Sequence, residues 1–227
     1  MPATGQRTIA VALPPFGGEG LLRLPETAAR GLVLFAHVSS SSRFSPRNTL
    51  AAQEMQRAGF ASLLFDLLTE EEAAERQYVF DIGLLAERVD HAATWIRTSA
   101  AGYRLPLGLF GADTGAAAAL VVASRRDDVR AVVSRGGRPD LAGDALPRVT
   151  AATLSIVGGN DPEVLALNRA ASRRLHCEHR LEVVPGATHL FEEPGTLQAV
   201  VALACDWFLR HLTNQPAEKN DAVHRPA

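Results

Sequence analysis

Residues 107–126 read LGLFGADTGAAAALVVASRR. An apolar run gives way to small residues around one acid, Asp113, and then to an Ala-rich run of helical character. Gly111 and Gly115 frame Asp113 in a Gly-x-Asp-x-Gly pattern. Small residues on both sides of a strand-to-helix turn let the two elements pack closely, and the helix N-terminus favours a negative charge. The stretch predicts strand, sharp turn and helix, with Asp113 at the tip of the turn.

The same rhythm runs outward from it. GLVLFAH (31–37) and FASLLFD (60–66) are continuous apolar runs of the kind that form strands buried on both faces. Between them, SPRNTLAAQEMQRAGF (45–60) has helical spacing, with Pro46 near its start and Gly59 at its stop. FDIGLLAERVDHAATWIRTSA (80–100) reads as a long amphipathic helix with Ile82, Leu85, Val89, Ala92 and Ile96 on one face. Downstream come strands in VRAVVSRG (129–136), ATLSIVGG (152–159) and HRLEVVPG (179–186), and helices in 161–175 and 195–212. RTIAVAL (7–13) and LLRLP (21–25) read as two short leading strands joined by the turn chemistry of PPFGGEG. Strands alternating with helices imply right-handed crossovers: an α/β fold with a mostly parallel sheet of about eight strands and helices on both faces.

At 227 residues the chain suits one domain, taken as 1–212, and 213–227 lacks periodicity and is expected to be a disordered tail. Net charge is −2, which gives no electrostatic case for nucleic acid or an anionic membrane surface. The apolar runs are too short to span a bilayer and the start is polar, so the expected location is cytoplasmic. Cys177 and Cys205 lack metal-ligand spacing and are expected to be reduced, with Cys205 as core filling. The histidines show no metal spacing, and no Gly-rich phosphate loop follows the first strand; no metal and no cofactor is expected. The expected partner is a small-molecule substrate. The oligomeric state stays open, a homodimer being one option.

Ligands of open α/β sheets sit beyond the carboxyl ends of the strands. Those ends deliver His37, Asp66, Asp113, Ser134, Arg135, Asp161 and His189. Asp113-Thr114-Gly115 also spells the tripeptide of pepsin-like proteases, but those are all-β and need a second copy, which this chain does not contain. The strand–turn–helix setting fits a nucleophile elbow instead, and the acid and histidine expected to follow it in chain order are present in Asp161 and His189.

With FAHVSSSSRFSPRN, FGADTGAAAAL, VVSRGGRPDL, LSIVGGNDPEVL and EVVPGATHLFEEPG together, the chain resembles the α/β-hydrolase superfamily over about residues 31–212. It is most similar to the lidless, dienelactone-hydrolase-like branch. The resemblance implies a catalytic triad of Asp113, His189 and Asp161 and an oxyanion hole from the backbone N–H groups of Thr114 and Val38. Two departures stand out. Relatives carry Ser or Cys where Asp113 stands, and usually a His-Gly start to the oxyanion loop where this chain has His37-Val38 and then Ser39 to Ser42. Residues 136–151 are too few for the cap domain found in other branches.

An aspartate needs no base to become a nucleophile. Its attack on an ester carbonyl would give an unfavourable mixed anhydride, whereas attack on an sp³ carbon gives an alkyl ester that water, activated by His189, can hydrolyse. This is the Asp-His-Asp logic of epoxide hydrolases and haloalkane dehalogenases. Epoxides are favoured, because Thr114 stands where dehalogenases typically place a halide-binding Trp, and Trp95 and Trp207 fall within helices as core residues. Tyr78, in the loop on the site side, and His37 are candidate proton donors; Tyr103 should lie at the far end of the sheet. The alternatives are an inactive scaffold or binding protein and a weak esterase or lactonase. Arg43 and Arg47 suggest phosphate or carboxylate binding, against ion pairing with surface acids. Residues 69–76 read as a solvated helical turn or loop.

Overall fold

The computed structural model describes residues 7–13, 18–38, 43–99 and 104–213. Its centre is a sheet of eight strands: β1 (Arg7–Leu13), β2 (Gly18–Leu24), β3 (Leu32–His37), β4 (Ala61–Asp66), β5 (Leu107–Ala112), β6 (Val129–Arg135), β7 (Ala152–Gly158) and β8 (His179–Val184). They lie in the order β1-β2-β4-β3-β5-β6-β7-β8. β1 pairs antiparallel with β2 and β2 antiparallel with β4, and every other pairing is parallel. β2 begins at Gly18, earlier than the predicted Leu21.

Alternation along the strands divides the core into two layers. Leu32, Leu34 and Ala36 of β3 face one, which is completed by α4 (Ile82–Thr98), α5 (Thr114–Ala123) and part of α6 (Pro162–Ser172). Val33 and Phe35 face the other, closed by α1 (Pro46–Arg57) and α7 (Thr196–Leu212). All of α5 is buried, which explains its unbroken small and apolar sequence. Trp207 is core, its indole N–H donating to the Ala152 carbonyl at 3.2 Å, and Trp95 packs against the other layer. Cys177 and Cys205 are free thiols, and Cys205 Sγ lies 3.6 Å from Met55 Sδ.

Residues 69–76 form the solvated helical turn that the sequence suggests, with no buried residue in it. Thr69 caps the short helix α2 (Glu70–Ala74) in a reciprocal box with Glu72, and α3 (Arg76–Val79) follows. The connection after β6 winds into a 3-10 segment, Pro139–Arg148, against α5; its irregular sequence, with Gly143 at φ 51° and Pro147 inside, carries no helical period. No cap domain interrupts this architecture among the described residues. Among the described residues no helix is long and apolar enough to cross a membrane. Ser39 to Ser42, Tyr103 and the expected tail beyond Thr213 lie outside the described residues.

Candidate functional site

β5 ends in a turn whose tip is Asp113. Its backbone sits at φ 50°, ψ −126°, a region that side-chain-bearing residues rarely adopt. Two glycines hold it there. A Cβ on Gly111 would lie 2.5 Å from the Ala116 Cα, and one on Gly115 would lie 2.2 Å from the Ala36 carbonyl oxygen. Strand, helix and the end of β3 therefore meet at contact distance. Thr114 contributes the first N–H of α5, a donor no helical carbonyl can take up, and Val38 follows the end of β3 that Gly115 touches. Thr114 and Val38 are buried, whereas Asp113 is exposed.

β7 and β8 deliver the other two residues. Asp161 Oδ2 lies 2.8 Å from His189 Nδ1, while its Oδ1 accepts the Val164 N–H at 3.3 Å and caps α6. Asp161 is shielded and His189 two-fifths exposed, at 14% and 41% of side-chain surface. A carboxylate on Nδ1 fixes the ring and leaves Nε2 for chemistry. Asp113, Asp161 and His189 thus all sit at the carboxyl ends of their strands, as the sequence predicts.

Four supports escaped the sequence reading. Gly136, at φ 52°, lies under the imidazole: a Cβ there would stand 3.4 Å from His189 Cε1. Glu193 accepts the Thr188 N–H through both carboxylate oxygens at 3.1 Å, bracing the histidine loop. Arg138 donates its backbone N–H to the Asp113 carbonyl at 3.1 Å. Its guanidinium grips Asp140, and Asp140 first, with weaker help from Asp113 and Glu163, holds its pKa above the usual value. Gly158 is the fourth, packed against the Ala187 backbone. The nearest sequence signal was the glycine pair inside SRGGRPDL.

The remaining candidates, Arg43, Tyr78 and His37, have contacts of their own. Arg43 is ion-paired with Asp66 and Glu19, the alternative weighed for it in the sequence. Tyr78 lies in α3 and packs, half-buried, against the α4 layer of the core. His37 is 3% exposed and stacked with Phe35 and Phe110. Burial, reinforced by the charge of Arg135, holds its pKa well below 6.5, so the ring is neutral. A cavity of about 400 Å³ opens beside it, lined by Arg43, Phe44, Asp66 and Leu68 among others; neither Asp113 nor His189 lines it. Among the described residues no cluster of acids, histidines and cysteines could hold a metal ion.

Comparison with known proteins agrees with this architecture. The crystal structure of a dienelactone hydrolase from Anabaena variabilis ATCC 29413 superposes with a TM-score of 0.84 at 49% identity, covering 92% of this chain and 98% of that one. Est1E from Butyrivibrio proteoclasticus, at 14% identity and a TM-score of 0.75 over 88% of this chain and 98% of its own, shares the fold. Two Mycobacterium tuberculosis proteins, from strains H37Rv and CDC 1551 / Oshkosh, are 55% identical over 212 residues, 93% of this chain. Each is named "Putative phosphoribosyl transferase", and the chain spans about half their length, 48%. Residues 19–214 match the dienelactone hydrolase family, and the chain belongs to it.

Proposed function

We propose that the protein hydrolyses a small substrate at an sp³ carbon, with an epoxide as the best-fitting class. The observation that carries the reading is the backbone of Asp113, held at φ 50°, ψ −126° on an exposed turn. Such strain costs about 1–3 kcal/mol and persists where the surroundings enforce it, often at a working residue. A carboxylate oxygen of Asp113 forms a bond to the ring carbon while the ring C–O bond breaks; the alkoxide takes a proton from solvent, which reaches this exposed turn. His189 Nε2 then removes a proton from water as the resulting hydroxide adds to the ester carbonyl of Asp113. The oxyanion lies against the N–H groups of Thr114 and Val38; collapse breaks the ester C–O bond, the departing alkoxide takes the proton back from His189 to give the diol, and Asp113 loses its acid proton to solvent to become carboxylate again. Asp161 steadies the imidazolium.

Family membership supports hydrolysis, and the acid at the elbow redirects it from carbonyl to saturated carbon. A second reading, ester or lactone hydrolysis with Asp113 assisting, draws on the similarity to a dienelactone hydrolase at 49% identity. Phosphoribosyl transfer, the activity in the mycobacterial proteins' name, belongs to proteins of which this chain covers about half, 48%, and the elbow with its His–Asp pair suggests no route to it.

The test is to incubate His189→Gln with epoxides, haloalkanes and activated esters or lactones and to weigh the intact protein. The variant keeps the nucleophile but lacks the base that clears its ester. An adduct of intact-epoxide mass on the Asp113 peptide supports the proposal. An adduct lacking halide makes the protein a dehalogenase. A folded variant without adduct from any class, with parent enzyme cleaving only esters, replaces the proposal with the second reading.

A further inference from the structure

Three nitrogen-bearing side chains gather on the α1–α7 face, below the loop that carries His189. Arg135 ends β6 in alternation with Ala131 and Val133 of that core layer, and His37 ends β3 in alternation with Val33 and Phe35. Arg135 is 8% exposed and, among the described residues, its side chain makes no hydrogen bond or ion pair. Burial first, then the charge of Arg47, pulls its guanidinium down to about 10. Arg47, in the first turn of α1, reaches Glu192 on the rim at 3.2 Å, and its buried Nε has no partner. Nε2 of His37 is likewise buried without a partner.

The fold gains little from this arrangement. A buried guanidinium without a carboxylate is a net cost, made worse by a second cation beside it. Helix α1 adds to the excess: Ser45 supplies no side-chain cap and no acid lies in its first turn, so neither offsets its positive end. Among the described residues, the carboxylate paired with these donors is that of the exposed Glu192, on Arg47.

We propose that Arg135, Arg47 and Nε2–H of His37 form a subsite for a phosphoryl group carried by the substrate. Charge count selects a phosphoryl group over a carboxylate: two guanidinium groups and a helix N-terminus match a dianion, and a monoanion leaves one cation unanswered. The neutral state of His37 suits a donor that adds no further repulsion. Place also fits. Arg135 pairs in the sheet with Ala112, the residue before Asp113, and the backbone N of His37 lies within 3.4 Å of where a Cβ on Gly115 would stand, so both strand ends flank the Asp113 turn. As a statement about substrate the subsite rests on the hydrolase reading above; as an anion site it stands apart from it.

The experiment titrates inorganic phosphate, and acetate in a parallel arm, into the full chain by calorimetry, then into Arg135→Met and Arg47→Met. Phosphate should bind saturably and more tightly than acetate. Each substitution should weaken it at least about tenfold, the loss expected of one charge-assisted hydrogen bond. Melting curves without phosphate check the fold, and Arg135→Met should melt at or above the parent because the unpaired charge is gone. No saturable phosphate binding by the folded parent, or binding that survives both substitutions, overturns the proposal; acetate binding as tightly as phosphate overturns the phosphoryl assignment. Asp113→Asn separates the two readings. Phosphate binding by that variant, with no parent turnover of any epoxide, keeps the subsite and removes the reaction. Epoxide turnover by a parent that binds no phosphate does the reverse.

Discussion

Gly158 passes so close to Ala187 that a Cβ at 158 would lie 2.4 Å from the Ala187 carbonyl oxygen. The same carbonyl accepts the Asn160 N–H at 2.9 Å, tying the loop after β7 to the loop after β8. This seam sets the separation of Asp161 and His189. Gly158→Ala should pry the loops apart, costing about 1–3 kcal/mol as overpacking does and lowering turnover by more than its stability loss explains. Urea melts alongside initial rates read both.

Asp161→Asn should divide the two duties of that side chain. The amide oxygen can still cap α6 through the Val164 N–H, so stability should change by less than about 1 kcal/mol. The imidazole loses its negative partner, and turnover should fall by up to about 10⁴-fold, as when a triad acid becomes an amide. Equal losses of stability and activity would refute the assignment.

Relieving the elbow should stabilise the chain. Asp113→Gly places a residue indifferent to positive φ where the backbone stands at 50°, which should raise stability by about 1 kcal/mol or more and abolish turnover. Thermal melts and rates on one preparation suffice.

Buried His37 should make stability fall on mild acidification. Its folded pKa lies well below 6.5, so both states are uncharged above that value and no penalty arises. Below 6.5 the unfolded chain takes up a proton that the buried ring refuses, and folding weakens as pH drops. His211, also lowered by burial, adds in the same direction. Urea midpoints at about pH 7.5 and 5.5 should differ less in His37→Phe than in the parent.

A separate loss should appear at stronger acid. Arg88 hydrogen-bonds Glu72 and depresses its carboxyl from 4.5 to about 2. That contribution is whole above 4.5 and disappears as pH falls through 2. Glu72→Gln should flatten the acid limb without moving the His37 limb.

Much of this was legible in sequence because burial leaves a periodic trace. LVLFAH and the all-buried α5 announce themselves, and a strand end followed by a polar residue gives the place of Asp113, Asp161 and His189. Contacts between distant backbones leave none. Gly136 and Gly158 look like ordinary loop glycines until the neighbouring loop is in view, and Glu193 looks like one more surface acid. Arg135 was visible as a strand end, but its lack of a counter-ion is a property of the folded surroundings. Tyr78 packs, half-buried, against an apolar layer, a contact that its place in a charged loop does not announce.

Asp161 has one oxygen on the first turn of α6 and the other on the imidazole of His189. The helix and the ring are therefore steered by a single planar group. A small roll of α6 swings the ring, so α6 is a tiller: whatever presses on its outer face, even far from Asp113, changes where Nε2 points.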